Sequence, residues 1–496
     1  MDIGGKNYFY LDNIEFDSEF DSGSLAKAQK IGQEYWIYTS RDASKSSAKS
    51  WFYFRVKCRE LRCLQLRIKS LGYHSKMLQE GLKPVFKDEG GKWGRIPEEV
   101  GSCKGELGLE LFFEHQMTAN VVYFALYYPY SYTDCQNFLC NLESVSYPFY
   151  FRRENLTSSF EGRRCDLLLV SSFEDIKEDQ GRVVSENKKA VVVSARVHAG
   201  ETPSSYVMQA VLEFLLGNDP RAEALRNHFV FYIVPMLNPD GVSRGNLRLD
   251  TLGQDLNRTY NSTSPEKCPT IFALKNLLQE LRQEIYCFID LHAHASIKGI
   301  FTFGNLMKDF KQQIESALFP KFMELNSPNF HWKQCSFKDN TEQTDKPGNR
   351  VGTARTFGHL CTGIPRVYTL ECNYNSGFKV NETYPSNLEE SPYSDHKSYV
   401  YSNGPPLYDT EIFEETGKSV CVSILDMIDK NPFSRLKNSP FKDLETFKIH
   451  VAEQLAGIPP FRYYNTLRHL CKSKYSLKEI LRGKVSVVLS STESSK

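Results

Sequence analysis

Past residue 150 the chain carries five apolar runs that do not alternate with polar residues: "CDLLLVSSF", "KKAVVVSARV", "HFVFYIVPML", "YCFIDLHA" and "RVYTLECN". A strand with one wet face must show polar residues at every second position, so such runs mark strands covered on both faces. Between them lie segments with helical spacing, such as "SSYVMQAVLEFLLGN" and "TIFALKNLLQELRQE". Buried strands alternating with helices predict an α/β/α domain with a mostly parallel, mixed sheet over about residues 151–430.

The residues before it read differently. In "LQLRIKSL" Leu64, Leu66 and Ile68 alternate with polar residues, and in "LGLELFF" Leu107, Leu109, Leu111 and Phe113 share one face. With "WFYFRVKC", "NVVYFALYY" and loops such as "KDEGGKWG", this predicts an antiparallel β-sandwich over 1–150. Residues 431–496 hold 12 Lys or Arg against 5 Asp or Glu. They are expected to form two amphipathic helices and a loose end, with Phe441, Leu444, Phe447 and Val451 at helical intervals. The basic residues would then meet an acidic partner, or simply make a solvated face that closes the domain. A chain of 496 residues is in any case too long for one core.

A net charge of +1 gives no global steering toward nucleic acid or an anionic membrane, so neither is expected as a partner. No apolar run approaches the ~18 residues of a membrane span. The first residues, "MDIGGKNYFYLDNIEFDSEFDSG", lack the apolar stretch of a signal peptide. The 13 cysteines are an odd number, scattered singly, and Cys165, Cys287 and Cys372 fall inside apparent strands. That pattern fits reduced thiols in a cytoplasmic protein.

The chemistry lies where the strands end, because open α/β sheets bind ligands beyond the carboxyl ends of their strands. The first such end gives His198 and Glu201. The second gives Asn238, Pro239, Asp240 and Gly241, the third His292 and His294. The fourth run carries Glu371 among Val, Tyr, Thr and Leu. A lone His-x-x-Glu is a weak signal, since a hydrogen-bonded loop pair explains most matches. The joint pattern is stronger. Two histidines and a carboxylate are a common catalytic zinc set with a fourth position left for water. A further carboxylate would move the water's proton to a leaving amine. Glu371 suits that role, because a carboxylate in an apolar strand is unfavourable without such a partner.

The order "HAGE", "NPDG", "DLNR", "DLHAHA" and "YTLE" resembles the zinc metallocarboxypeptidases of the carboxypeptidase A type. Within them "SARVHAGETPSSY", "PMLNPDGV" and "TLECNYNSG" resemble the cytosolic carboxypeptidases, and "ECNYNSG" and "DSGSLAKA" the type that trims tubulin glutamate branch points. "SWFYFRV" and "YYPYSYTDC" are similar to that subfamily's accessory domain. The resemblance implies one zinc ion held by His198, Glu201 and His292, with His294 outside the ligand set. It implies Glu371 as general acid/base, Asn257 and Arg258 as the grip on the substrate's terminal carboxylate, and Arg248 as the donor to the oxyanion. Arg355, and next to it Lys298, are candidates to pair with the side-chain carboxylate of a substrate glutamate. The digestive enzymes cover the substrate with a tyrosine. The matching stretch, "GTARTFGHLCTGIPR", has none, and His359 stands there instead.

The implied substrates are polyglutamylated tubulin or other glutamate-rich protein tails, with branch-point and chain glutamates both open. The implied location is the cytoplasm, with microtubules, cilia and the nucleus as further options. Two other readings are an aspartoacylase-like amidohydrolase of small N-acyl amino acids and a non-catalytic microtubule-binding protein. The β-rich N-terminal part and "NPDGV" argue against the first, and the full set of ligands with Glu371 against the second.

Overall fold

The computed structural model describes residues 6–44, 46–72, 75–179, 182–338, 352–386 and 405–457. The N-terminal part packs two sheets face to face. One has six strands, in the order Tyr8–Leu11, Ile14–Asp17, Tyr53–Cys58, Val121–Ala125, Val85–Asp88 and Gly94–Arg95, all antiparallel. The other has five, in the order Lys27–Ile31, Glu34–Tyr38, Cys63–Leu71, Gly108–Gln116 and Val100–Gly105. One of its pairings, Glu34–Tyr38 with Cys63–Leu71, is parallel, which qualifies the antiparallel expectation. After Tyr38 the chain adds Tyr53–Cys58 to the opposite sheet before returning, and such a crossover brings the strand back in the same direction.

The period-two pattern does its expected work: Leu64, Leu66, Ile68, Leu109, Leu111 and Phe113 are buried between the sheets. Leu107 is the exception. It is 51% exposed, because it sits in the hairpin turn ahead of the strand that starts at Gly108.

The second part is built on an eight-stranded mixed sheet. Its order is Tyr150–Ser158, Arg164–Ser171, Phe229–Val234, Lys189–Ala195, Ile285–His294, Val367–Asn373, Ile300–Asn305 and Ser336–Lys338. The three central pairings are parallel. The valines of "VVV" show why the run does not alternate. Val191 and Val193 face one apolar core with helices Thr202–Leu216, Phe310–Asn326 and Thr410–Met427. Val192 faces the other, with helix Pro269–Glu280 and Ala354. All three are fully buried, each stabilising the fold by roughly 1.5–3 kcal/mol. The first of these cores continues without a break into the interior of the N-terminal sheets.

Helix Leu444–Gly457 closes the domain from outside. Phe447 packs at a tilt against Phe322 with centroids 4.6 Å apart, and Lys448 pairs with Glu315 at 2.7 Å. The remainder of the expected basic extension, 458–496, lies outside the described residues. The cysteines among the described residues are free thiols. No helix among the described residues is long and apolar enough to cross a membrane.

Candidate active site

The strand Lys189–Ala195 is followed by Arg196, a non-glycine residue with φ of 58°. Its buried guanidinium donates to the Ala199 carbonyl and to Ser205 Oγ, both at 2.8 Å, and so folds the chain back on itself. Gly200 lets the backbone of Leu247 approach: a Cβ there would stand 2.6 Å from the Leu247 carbonyl oxygen, which instead accepts the Gly200 N–H at 2.7 Å. Glu201 then occupies the N-cap of helix Thr202–Leu216, with Pro203 in the first turn. Its side chain does not cap the helix; it turns away and accepts the Ala293 N–H at 2.9 Å.

That turn makes a cluster. One Glu201 oxygen lies 2.7 Å from His198 Nδ1, and the other lies 3.0 Å from His292 Nδ1. The far nitrogens are also held: His198 Nε2 lies 3.1 Å from Asp255 Oδ1, and His292 Nε2 lies 2.6 Å from Asp290 Oδ2. Each imidazole is therefore fixed by a carboxylate on one edge and presents Nδ1 to the same point. This is the usual supporting arrangement of metal-bound histidines, in which the outer carboxylate sets tautomer and basicity. One donor atom from each of His198, Glu201 and His292 lies within 4.8 Å of the others. Two imidazole nitrogens and a carboxylate oxygen are an ordinary donor set for catalytic zinc, so the residues fit the ion.

The charges of the cluster lean on one another. Burial pushes the Glu201 carboxyl up, but His198 and His292 more than offset it and hold it well below the usual range. Burial pushes His292 down, and Asp290 and Glu201 reverse that, leaving it well above an ordinary histidine. Asp255 is held low by His198, Arg248 and Arg258 against its own burial.

Glu371 faces the cluster from the neighbouring strand, paired in register with His292. It is buried, and its Oε2 has no hydrogen-bond partner among the described residues. Burial raises its pKa, with His292 and His294 pulling it back. A buried carboxylate of raised pKa thus stands beside the metal-type cluster.

A cavity of about 310 Å³ opens in front of these groups. His198, Glu201, His292, Glu371, Arg248, Asn257, Arg258 and Arg355 all line it, as does His294. Arg248 donates from Nε to Asp255 Oδ2 at 2.9 Å, so Asp255 joins a histidine to an arginine. Asn257 accepts the Ala354 N–H at 2.9 Å, and a Cβ on Gly352 would stand 2.3 Å from the Arg258 carbonyl. The two segments thus meet backbone to backbone. Arg355 donates to the Gly304 carbonyl at 2.7 Å and to Asn305 Oδ1.

Other candidates do not join the cluster. Lys298 is not among the residues lining the cavity. His359 belongs to helix Ala354–Thr362, where its Nδ1 lies 2.9 Å from the Ile364 carbonyl, and does not line the cavity either. Asn238 caps a short helix, and Asp240 accepts from Ser159 and Arg163, so this strand end is structural. His294 accepts the Ser296 and Ile297 N–H groups on Nδ1, which keeps it out of the cluster. Sequence reasoning missed Asp255 and Asp290. Both had a readable signal: an acid two residues before each of Asn257 and His292, the second in an otherwise apolar strand.

Comparison with known proteins agrees with this geometry. The model of the family described as zinc carboxypeptidase matches residues 137–391, and that of the cytosolic carboxypeptidase N-terminal domain matches 16–127. Cytosolic carboxypeptidase-like protein 5 of Danio rerio is 26% identical, over 93% of this chain and 70% of its own length. The Mus musculus protein of that name is 27% identical and is covered over 66% of its length. Cytosolic carboxypeptidase 6 of Mus musculus is 31% identical, over 73% of this chain and 67% of its own. Among solved structures, a metallo-carboxypeptidase from Burkholderia cenocepacia superimposes with a TM-score of 0.66 at 20% identity, over 84% of this chain and 99% of that one, which speaks for the fold. The chain belongs to the zinc carboxypeptidase family, with the N-terminal domain of the cytosolic carboxypeptidases and a His198–Glu201–His292 zinc site.

Proposed function

We propose that this metallocarboxypeptidase removes glutamate from polyglutamylated or acidic C-terminal protein tails, tubulin above all. The observation that carries the reading is a buried cation, Arg355, lining the same cavity as the Asn257–Arg258 pair and the zinc triad. An exopeptidase for glutamate must meet two carboxylates at once, the chain end and the side chain. Asn257 and Arg258 take the first, since a planar guanidinium grips a carboxylate and only a chain end offers one there. Arg355 takes the second, and Lys298 falls behind it because it does not line the cavity. The likeness to the cytosolic carboxypeptidases 5 and 6, and of "ECNYNSG" to the branch-point type, supports the same substrate class.

Held by His198, Glu201 and His292, zinc would supply a Lewis acid able to polarise a carbonyl and to lower the pKa of a water toward neutrality. The residues around it do the rest. Glu371 takes the water's proton on its carboxylate and passes it to the leaving amine. Arg248, fixed by Asp255, donates to the oxyanion as the carbonyl carbon becomes tetrahedral. Asp255 and Asp290 hold the imidazoles in place. The same reading divides the chain into an accessory β-domain at 1–150, a catalytic domain at 151–430 and a basic extension at 431–496, and places the enzyme in the cytoplasm.

Mass spectrometry of glutamylated tubulin incubated with the zinc-loaded protein tests this. Loss of whole glutamate residues from the tails is expected, and the linkage lost separates branch-point from chain cleavage. Intact tails beside efficient release of acyl groups from small N-acyl amino acids would replace the reading with an amidohydrolase.

A further inference from the structure

The segment that carries Arg248 is gripped from outside its own domain. Asp42, from the N-terminal β-domain, is buried and accepts three consecutive backbone N–H groups. Leu247 donates to Oδ1 at 2.8 Å, and Arg248 and Leu249 donate to Oδ2 at 2.6 and 2.8 Å. Successive amides converging on one carboxylate form an anion nest, and here the anion is a side chain of the accessory domain. Two more contacts continue the grip. Ser22 Oγ donates to the Val242 carbonyl at 2.9 Å, and Gly245, at φ of 72°, lies so close to Gly23 that a Cβ would stand 2.4 Å from its carbonyl oxygen. The opposite side of the segment rests on Gly200, next to Glu201. Arg248 is therefore fixed at both ends, its backbone by Asp42 and its guanidinium by Asp255, which also holds His198.

We propose that Asp42 is a positioning residue for Arg248, and hence that the N-terminal β-domain is a working part of the active site. This rests on reading Arg248 as the oxyanion donor. An oxyanion donor acts only if its hydrogen bond is aimed at where charge develops, and a small displacement forfeits much of its effect. Releasing three amides at once frees the Leu247–Leu249 backbone to shift while leaving both carboxylate–imidazole pairs in place. Ground-state binding by Asn257, Arg258 and Arg355 does not pass through this segment, so the defect belongs in kcat and not in KM.

The test is a cycle of Asp42→Ala, Arg248→Met and the double variant, assayed on a glutamate-ended peptide, with zinc content and amide hydrogen exchange of residues 245–250 measured alongside. Arg248→Met should lower kcat by roughly 100- to 1,000-fold. Asp42→Ala should lower it by about tenfold or more, with KM within about threefold, zinc retained and exchange at 247–249 accelerated. The double variant should be no slower than Arg248→Met within about threefold, because a residue that acts through Arg248 has nothing left to lose. Asp42→Asn keeps one carbonyl oxygen for part of the nest and should fall between wild type and Asp42→Ala, giving a readable value if the alanine variant folds poorly. Unchanged exchange at 247–249, near-normal kcat in Asp42→Ala beside a slow Arg248→Met, or multiplicative losses in the double variant would each overturn the positioning role. A normal kcat in Arg248→Met would instead remove the oxyanion reading on which it stands.

Discussion

Replacing Glu371 by Gln isolates proton transfer from everything else the site does. The side chain is 8% exposed, sits opposite His292 in the sheet and has an oxygen with no partner among the described residues. Gln has the same shape, so neither zinc nor substrate loses a contact that depends on volume. What disappears is a group that can take and return a proton. General acid–base catalysis is worth ~100- to 10,000-fold, or about 2.7–5.4 kcal/mol of barrier. A second consequence has the opposite sign. Burial raises the folded-state pKa of Glu371, so the stability linked to its protonation is present in acid and is lost as the pH rises through that raised value. Above the ordinary carboxyl value the ionisation of Glu371 therefore counts against the fold, and Gln, which does not ionise, removes that penalty. The assay combines kcat on a glutamate-ended peptide, zinc content by elemental analysis, and melting of metal-stripped protein at neutral pH. Slow turnover with full zinc and a higher melting temperature is expected. A zinc-loaded Glu371→Gln variant within about tenfold of wild type would show that another group moves the proton.

Three further outcomes follow from the same geometry. His292→Ala should abolish stoichiometric zinc, whereas His294→Ala should not, because His294 Nδ1 already accepts two backbone N–H groups; metal analysis of the two variants decides. Arg355→Met should lower kcat/KM on glutamate-ended peptides by roughly a hundredfold or more while sparing leucine-ended ones, since an unpaired buried charge costs ~3–5 kcal/mol; Arg258→Met should damage both. Burial and Lys379 press His331 down to about 4, so the stability it contributes is present above the unfolded value near 6.5 and lost as the pH falls toward 4. The drop in melting temperature between pH 7 and pH 4.5 should therefore be smaller in His331→Gln than in wild type.

The parts of the molecule that were legible in the sequence are those governed by local periodicity. Runs such as "VVVSA" and "VYTLEC" betray strands covered on both faces, and polar residues stranded at their ends betray a site. His198, Glu201, His292 and Glu371 were readable for that reason. Contacts between segments distant in the chain were not. Nothing near "RDAS" announces that Asp42 will receive the amides of Leu247–Leu249, more than 200 residues away. Lys298 illustrates the converse. It lies six residues past His292 in sequence, yet the chain turns away after the strand and leaves it off the cavity. Asp240 was suspect for standing at a strand end, but its carboxylate goes to Ser159 and Arg163. A strand end brings His198, Glu201 and His292 together, but Arg248, Asn257, Arg258 and Arg355 reach the cavity from a loop, a 3-10 turn and a helix, and the path of the chain decides which residues do.

The central claim, a zinc exopeptidase that takes glutamate from a free chain end, is tested most directly by one peptide in two forms. A peptide ending in several glutamates is made with a free C-terminus and as its C-terminal amide, and each is followed by mass spectrometry with zinc-loaded and chelator-stripped protein. The account predicts stepwise loss of glutamates from the free form with zinc only, and an amide that resists because Asn257 and Arg258 find no carboxylate. Equal cleavage of the amide, internal cuts, or turnover that survives removal of zinc would contradict it.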